Sequence, residues 1–206
     1  MSWYYYPLIF ATGVFLATSL FHLVRLIRLG PGRDYAPSAG QTAQGIQYAF
    51  TGAMNPSKKE SALFHLPTYT AGILYHLGTF LSIFIFFLIL AKVSFTGITA
   101  ILISGFLIIT GICGIGILVK RMIKKVLRSL SGPDDYISNM LVTLFQFITS
   151  LVILIPSVMP GYIIMASLLL FYFPAGKLKH ALYFFAARYH LGLFFGRRGV
   201  WPPKPM

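Results

Sequence analysis

The chain has 206 residues, of which 57% are hydrophobic and 10% are charged, with a mean hydropathy of +0.77. Soluble domains carry roughly 25% charged residues, so this composition excludes an ordinary water-soluble fold and predicts an integral membrane protein. The formal net charge is +13, but most basic residues lie between the apolar runs, which is typical of positive-inside loops and argues against nucleic-acid binding.

Five apolar segments are each long enough to cross a bilayer, which takes about 20 residues of α-helix. We expect these spans near residues 8–28, 66–91, 97–119, 136–156 and 161–187, the last continuing as a helix toward Phe195. The sequence therefore predicts an all-α fold, an integral membrane bundle of five transmembrane helices that forms a single domain over residues 1–206.

The charges of the connecting segments predict the orientation of these spans. The N-terminal segment and the turn at 156–161 carry no charged side chain, whereas basic residues concentrate around a loop at 33–62, after the third span, and in a tail at 196–206. Because positively charged loops stay on the cytoplasmic side, we expect the N-terminus outside and the C-terminus in the cytoplasm. An odd number of spans agrees with this orientation.

Two polar segments and one glycine-rich span allow more than one interpretation. The loop at 33–62 is either a docking site for a soluble subunit or a solvated connector. The stretch 120–130 alternates basic and apolar residues, which favours an interfacial helix. The third span contains several small residues, which packing against a neighbouring helix explains better than space for a macrocycle would. They are Gly111, Gly114 and Gly116, beside Cys113.

Four of the five histidines form two pairs on long apolar segments. His65 and His76 are eleven residues apart and His180 and His190 are ten apart, steps that rise about 16 and 15 Å along a helix. With the second and fifth spans antiparallel, His76 matches His180 and His65 matches His190. Two imidazoles are the axial ligands of a low-spin haem suited to electron transfer. The pattern predicts two b-type haems; because the ten-residue step misses its helix face by about 80°, a single haem is the alternative.

Other residues near these histidines are candidate contacts of such a cofactor. Lys177, Lys179 and Arg188 flank the fifth-span histidines, and they either pair with haem propionates or extend to the headgroups. His22, on the first span, lies near a quinone or a propionate, replaces one of the four ligands, or merely packs. Cys113 is the only cysteine and cannot hold an iron–sulfur cluster by itself, so any such cluster belongs to a partner.

Several motifs resemble the gamma (cytochrome b) subunit of respiratory nitrate reductases. They are LYHLG at 74–78, FPAGKLKH at 173–180, and the residues Gly114, Lys120, Arg121, Asp134, Asp135 and Gln146 between them. The stretches ARYHL at 187–191 and FFGRRG at 194–199 are similar to the haem b membrane subunits of heterodisulfide-reductase-like and sulfate-reducer transmembrane redox complexes. The resemblance implies five spans, bis-histidine haem b and quinol exchange near one haem. It carries over best to His76 and His180, and it departs at Phe86, where the family has another histidine.

These expectations predict a membrane cytochrome b subunit that transfers electrons between menaquinone, its substrate, and a cytoplasmic iron–sulfur subunit of an anaerobic respiratory complex. Other membrane subunits, membrane lipid and quinone are expected partners, and the cytoplasmic (inner) membrane of a prokaryote is the expected location. The chain is not expected to be catalytic alone. The alternative is a non-haem membrane anchor or scaffold subunit of a redox complex. Transport is disfavoured because all four acidic residues, Asp34, Glu60, Asp134 and Asp135, lie outside the predicted spans.

Overall fold

The computed structural model describes residues 2–30, 32, 34–55 and 65–203. Its helices are α1 (Tyr5–Leu29), α2 (Thr42–Phe50), α3 (Leu66–Leu90), α4 (Gly97–Ile123), α5 (Lys125–Ser129), α6 (Pro133–Leu154), α7 (Met159–Tyr172) and α8 (His180–Arg197). Short 3-10 turns lie at Gly52–Met54, Pro156–Val158 and Lys177–Lys179. Within these residues the fold is all-helical, as predicted, and contains no strand.

Four helices, α1, α3, α4 and α6, are each long and apolar enough to cross a membrane, and the interrupted pair α7 and α8 makes a fifth span if the two are taken together. Such helices suit a lipid environment because they satisfy their backbone hydrogen bonds internally. Several apolar helices could therefore span a membrane, as expected of a multi-pass protein. The first four predicted spans agree with the helix ends within a few residues.

The fifth apolar segment differs from the prediction of one helix over 161–187. α7 ends at Tyr172, and α8 begins only after a turn and the 3-10 turn at Lys177–Lys179. Pro174 has no N–H to donate to a carbonyl one turn earlier. Ala175 and Gly176 instead donate their N–H groups to the Tyr172 carbonyl, at 3.1 and 2.9 Å. These bonds close the helix, so His180 begins a new helix.

The chain divides into two compact units, of which the first comprises Met1–Leu16 and Leu66–Leu178. Within it, α6 packs against α3, α4 and α7. Ser104 on α4 and Ser150 on α6 each donate a hydrogen bond to the other's backbone carbonyl, at 3.2 and 3.1 Å. The buried apolar core draws on four helices: Leu8, Phe86, Phe145, Val152, Tyr162, Ile163 and Ala166. Interhelical hydrogen bonds and apolar packing therefore hold this bundle together.

The small residues of α4 serve packing, as predicted, at two of three positions. A Cβ atom at Gly111 would lie 2.8 Å from the Phe147 ring, and one at Gly114 would lie 2.5 Å from the Thr143 hydroxyl. A Cβ at Gly116 would meet no atom of the described residues within 4 Å. Helix α6 therefore approaches α4 closely only along the side that carries the first two glycines.

The stretch 120–130 is helical in two pieces, whereas the sequence predicted one interfacial helix. The third span continues as α4 to Ile123, one turn beyond its predicted end, so Lys120 and Arg121 belong to that helix. Lys124 is extended and α5 follows it.

The second unit comprises Ala17–His65 and Lys179–Met206. It includes α2, which lies inside the segment predicted to be a loop at 33–62. Residue 33 and residues 56–62 of that loop, and residues 204–206 of the predicted tail, lie outside the described residues. Docking of a partner on this loop stays a prediction, but part of the segment is an ordered helix packed against α8.

Helices α2 and α8 meet backbone to backbone. A Cβ atom at Gly192 would lie 2.5 Å from Ile46 Cα, and one at Gly196 would lie 2.9 Å from both the Gln41 carbonyl oxygen and Gly45 Cα. Only glycine permits so close an approach, and the four-residue spacing places both α8 glycines on one face.

An aromatic contact extends this interface beyond the end of α8. The Trp201 ring lies 4.8 Å from the Phe195 ring and 5.6 Å from the Tyr48 ring, measured between centroids. The chain after α8 therefore returns to α2, and the two helices and the tail pack as one element of the second unit.

Candidate functional site

His76 lies on α3 in the first unit, and its side chain is exposed. Its Nδ1 atom is 2.7 Å from the Gly72 carbonyl oxygen, one helical turn earlier. A carbonyl oxygen only accepts, so Nδ1 carries the proton, and the lone pair resides on Nε2. Histidines that bind metals commonly donate their other ring N–H in this way, which fixes the tautomer and the ring orientation. The His76 ring is therefore oriented so that Nε2 can coordinate a metal ion.

The three other predicted ligands belong to the second unit. His65 directly precedes α3, His180 is the first residue of α8, and His190 lies ten residues further along α8; all three side chains are exposed. The described residues contain no group of three or more His, Cys, Asp or Glu side chains that could hold a metal ion. An axial pair on a haem needs only two histidines, so the proposed pairs stay predictions.

His22 has a defined partner in the second unit. Its Nδ1 atom and the Tyr183 hydroxyl on α8 are 2.9 Å apart, and the two rings meet edge to face at 5.9 Å. This hydrogen bond joins α1 to α8. Of the roles predicted for His22, packing between helices is the one that this contact supports directly.

A cleft of about 840 Å³ opens beside His190, where the C-terminal ends of α1 and α8 lie together. Leu26 and Leu29 of α1 and Leu193 and Phe194 of α8 form its apolar walls. The volume lies in the range of small-molecule sites, about 300–1,000 Å³. His65 is not among the described residues that line this cleft.

A carboxylate between two arginines closes the charged end of this cleft. Arg198 donates two hydrogen bonds to Asp34, at 2.9 Å from Nη2 to Oδ1 and 3.1 Å from Nε to Oδ2. Arg197 Nε lies 3.9 Å from Asp34 Oδ2, while Arg197 Nη2 donates to the Ala36 carbonyl at 3.1 Å. The Arg198 hydrogen bonds, with help from the Ala36 N–H, hold the pKa of the Asp34 carboxyl below its usual value. One negative and two positive charges leave this end of the cleft cationic.

The three basic residues predicted to meet propionates differ in their surroundings. Lys177 Nζ lies 2.6 Å from Asp135 Oδ2, so it has a carboxylate partner within the first unit. The Arg188 guanidinium lies over the Phe184 ring at 5.7 Å from its centroid. Lys179 is half-buried in the 3-10 turn before α8. The structure therefore gives two of these three cations protein contacts of their own.

A buried polar cluster in the first unit was not predicted. Gln146 on α6 is fully buried, donates to the Tyr75 carbonyl at 3.0 Å and the Thr79 hydroxyl at 2.9 Å, and accepts from the Thr110 hydroxyl at 2.8 Å. It thus links α3, α4 and α6 one helical position away from His76. An amide inside an apolar span was the available signal, because polar groups within lipid need partners.

Comparison with known proteins gives no match of this chain to a family model, to a curated protein or to a solved structure. The resemblance to haem b subunits therefore stays a prediction from the motifs quoted above.

Proposed function

We propose that this chain is a membrane electron-transfer subunit that binds haem b through His76 and His180 and exchanges electrons between menaquinone and an iron–sulfur partner subunit. The observation that best supports this proposal is the His76 Nδ1 contact with the Gly72 carbonyl, at 2.7 Å. It leaves the lone pair of Nε2 available to coordinate iron, and neutral imidazole is the form of histidine that binds haem iron.

A haem held by two histidine side chains would supply reversible one-electron transfer. The chain's own residues hold and orient it. The Gly72 carbonyl fixes the orientation of the His76 ring. The Gln146 hydrogen bonds to α3, at Tyr75 and Thr79, restrain the helix that carries His76. Restraint of this kind lowers the reorganisation that accompanies each transfer step.

We propose one haem. The sequence predicts a second haem at His65 and His190, and the number of haems per chain in the assay below distinguishes one from two. His190 opens into the cleft at the C-terminal ends of α1 and α8, and the described lining of that cleft does not include His65. The iron–sulfur centre is assigned to a partner because the single cysteine, Cys113, supplies one thiolate and a cluster needs about four.

The proposal includes the topology expected from the charges. Five spans, the fifth interrupted between α7 and α8, place the N-terminus outside and the C-terminus in the cytoplasm of a prokaryote. The basic residues at the ends of α1, α4 and α8, such as Arg28, Lys120 and Arg197, then lie on the cytoplasmic side.

A pyridine haemochrome assay on the purified complex tests the function directly. We expect about one b-type haem for each chain, lost in His76→Ala and in His180→Ala. Gly72→Ala is the matched control, because it keeps the backbone carbonyl that accepts from His76 and its Cβ would meet no atom of the described residues within 4 Å. Equal haem content in both histidine variants and the wild type would refute the ligand assignment. A colourless complex would favour the non-haem anchor instead.

A further inference from the structure

We propose that the cleft at the C-terminal ends of α1 and α8 is a binding site for an acidic phospholipid, with the phosphate at Arg197 and Arg198 and the acyl chains along the apolar walls. This lipid site does not depend on haem binding by His76 and His180.

The shape of the cleft fits an amphipathic ligand. On α8, residues 190, 193, 194 and 197 follow a spacing of three and four residues, so they share one face. Leu193 and Phe194 are apolar, and Arg197 comes at the end of the helix. On α1, Leu26 and Leu29 face the same space, and the chain then turns through Gly30. The cleft face of α8 thus extends about 10 Å from His190 to Arg197, and its apolar residues lead to a cationic end.

The charged end has an excess of cationic donors over carboxylates. Asp34 occupies one edge of the Arg198 guanidinium, but Arg197 Nε makes no hydrogen bond within the described residues. Asp34 is also the only acidic side chain among the described residues of the second unit. The positive charges of Arg197 and Arg198 can attract an anion to this end, since arginine binds phosphate oxygens through paired N–H groups.

A second cleft along α1 also combines apolar and basic side chains. It encloses about 250 Å³ and is lined by Phe21, Val24, Arg25, Arg28 and Leu29. Leu29 borders both clefts, so the end of α1 separates two apolar grooves, each with two arginines at its lining. A lipid with two acyl chains could place one chain along each of these clefts. Basic pockets of this kind between membrane helices bind acidic headgroups.

The test uses the full chain in lipid nanodiscs, with phosphatidylglycerol and phosphatidylcholine of identical acyl chains as probes. Native mass spectrometry after release counts retained lipid. We expect wild type to retain phosphatidylglycerol in preference to phosphatidylcholine. The double substitution Arg197→Gln/Arg198→Gln weakens that retention about 25-fold, from about fivefold for each basic residue lost. The control Lys125→Gln/Arg128→Gln removes the same charge from α5 and leaves retention unchanged.

Asp34→Asn provides a test in the opposite direction. Asparagine keeps the oxygen that accepts from the Ala36 N–H at 3.1 Å but no longer neutralises Arg198. We expect about fivefold stronger retention of phosphatidylglycerol, a gain that misfolding could not produce.

Five results would overturn the lipid site. Equal retention of the two lipids, equal losses in the α5 control, or weaker binding in Asp34→Asn would each remove its electrostatic basis. Glycerol phosphate competing as well as the lipid would show that the apolar walls contribute nothing and that the site is one for a free phosphate. Two haems per chain in the wild type, one of which is lost in Arg197→Gln/Arg198→Gln, would assign the cleft to a second haem.

Discussion

The contact between α2 and α8 depends on glycines, and Gly192→Ala tests it most directly. A Cβ atom at this position would lie 2.5 Å from Ile46 Cα and 2.9 Å from the Gly45 carbonyl oxygen. Both neighbours are backbone atoms, so no side-chain rotation can relieve the overlap. The substitution must push the two helices apart.

The expected loss of stability is the difference between two effects. Alanine is favoured over glycine inside a helix by about 1 kcal/mol. Overpacking costs about 1–3 kcal/mol. For Gly192→Ala the cost lies at or above the upper end of this range, because the overlapping atoms belong to the backbone and cannot rotate away. The net change is a destabilisation of about 2 kcal/mol. In a chain of this size that lowers the melting temperature by about 4–8 °C.

Trp201 makes this unfolding visible, because its ring packs on Phe195 and Tyr48 within the same interface. In a Trp3→Phe background it is the only tryptophan, and its fluorescence during heating in detergent reports the second unit. Gly105→Ala is the matched control: its Cβ would meet no atom of the described residues within 4 Å, so alanine there leaves stability unchanged or raises it. A Gly192→Ala variant that melts with the control would show that α2 and α8 do not pack this closely.

Two further predictions concern polar groups. Gln146→Leu removes three hydrogen bonds between helices, each worth about 0.6 kcal/mol in membrane bundles, so unfolding by SDS in mixed micelles should show a loss of about 2 kcal/mol; a loss near zero would contradict the network. Asp34 has a lowered pKa in the folded state, so its ion pair stabilises the fold above the unfolded pKa of about 3.9 and is lost as the pH falls through the folded value. The difference in melting temperature between wild type and Asp34→Asn should therefore disappear in acid, and a constant difference from pH 7 to pH 3 would refute the pair.

The spans were predictable because lipid leaves an apolar run of about 20 residues few conformations other than helix. Pro174 signals the break between α7 and α8 because it lacks an N–H. The continuous apolar run over 161–187 instead predicts one unbroken helix. Helix α2 was missed for a different reason. Its nine residues contain no long apolar run, and its main contact is Gly45 against glycines about 150 positions later in the chain.

The candidate sites also contain features that the sequence predicts and features that it does not. That histidines in apolar segments matter could be predicted from the cost of polar groups in lipid. That His76 donates to the Gly72 carbonyl follows from helix geometry, one turn apart. The cationic cleft could not be predicted because it requires Asp34 to contact Arg198. Contacts between residues so far apart in the sequence are set by the fold. The sequence shows these arginines as positive-inside residues and as part of the FFGRRG stretch at 194–199, and neither property places them beside Asp34.

The two faces of α8 connect its packing to its proposed site. At 100° for each residue, Gly192 and Gly196 lie nearly opposite the face that carries His190, Phe194 and Arg197. One face is fixed against the α2 backbone, and the other lines the cleft. Helix α2 therefore supports the α8 residues of the cleft, and its first residue, Thr42, also lines the cleft. It follows that Gly192→Ala should weaken phosphatidylglycerol retention as well as lower the melting temperature, although the substituted atom points away from the site. Retention at the wild-type level in a variant that melts several degrees lower would show that the cleft forms independently of α2.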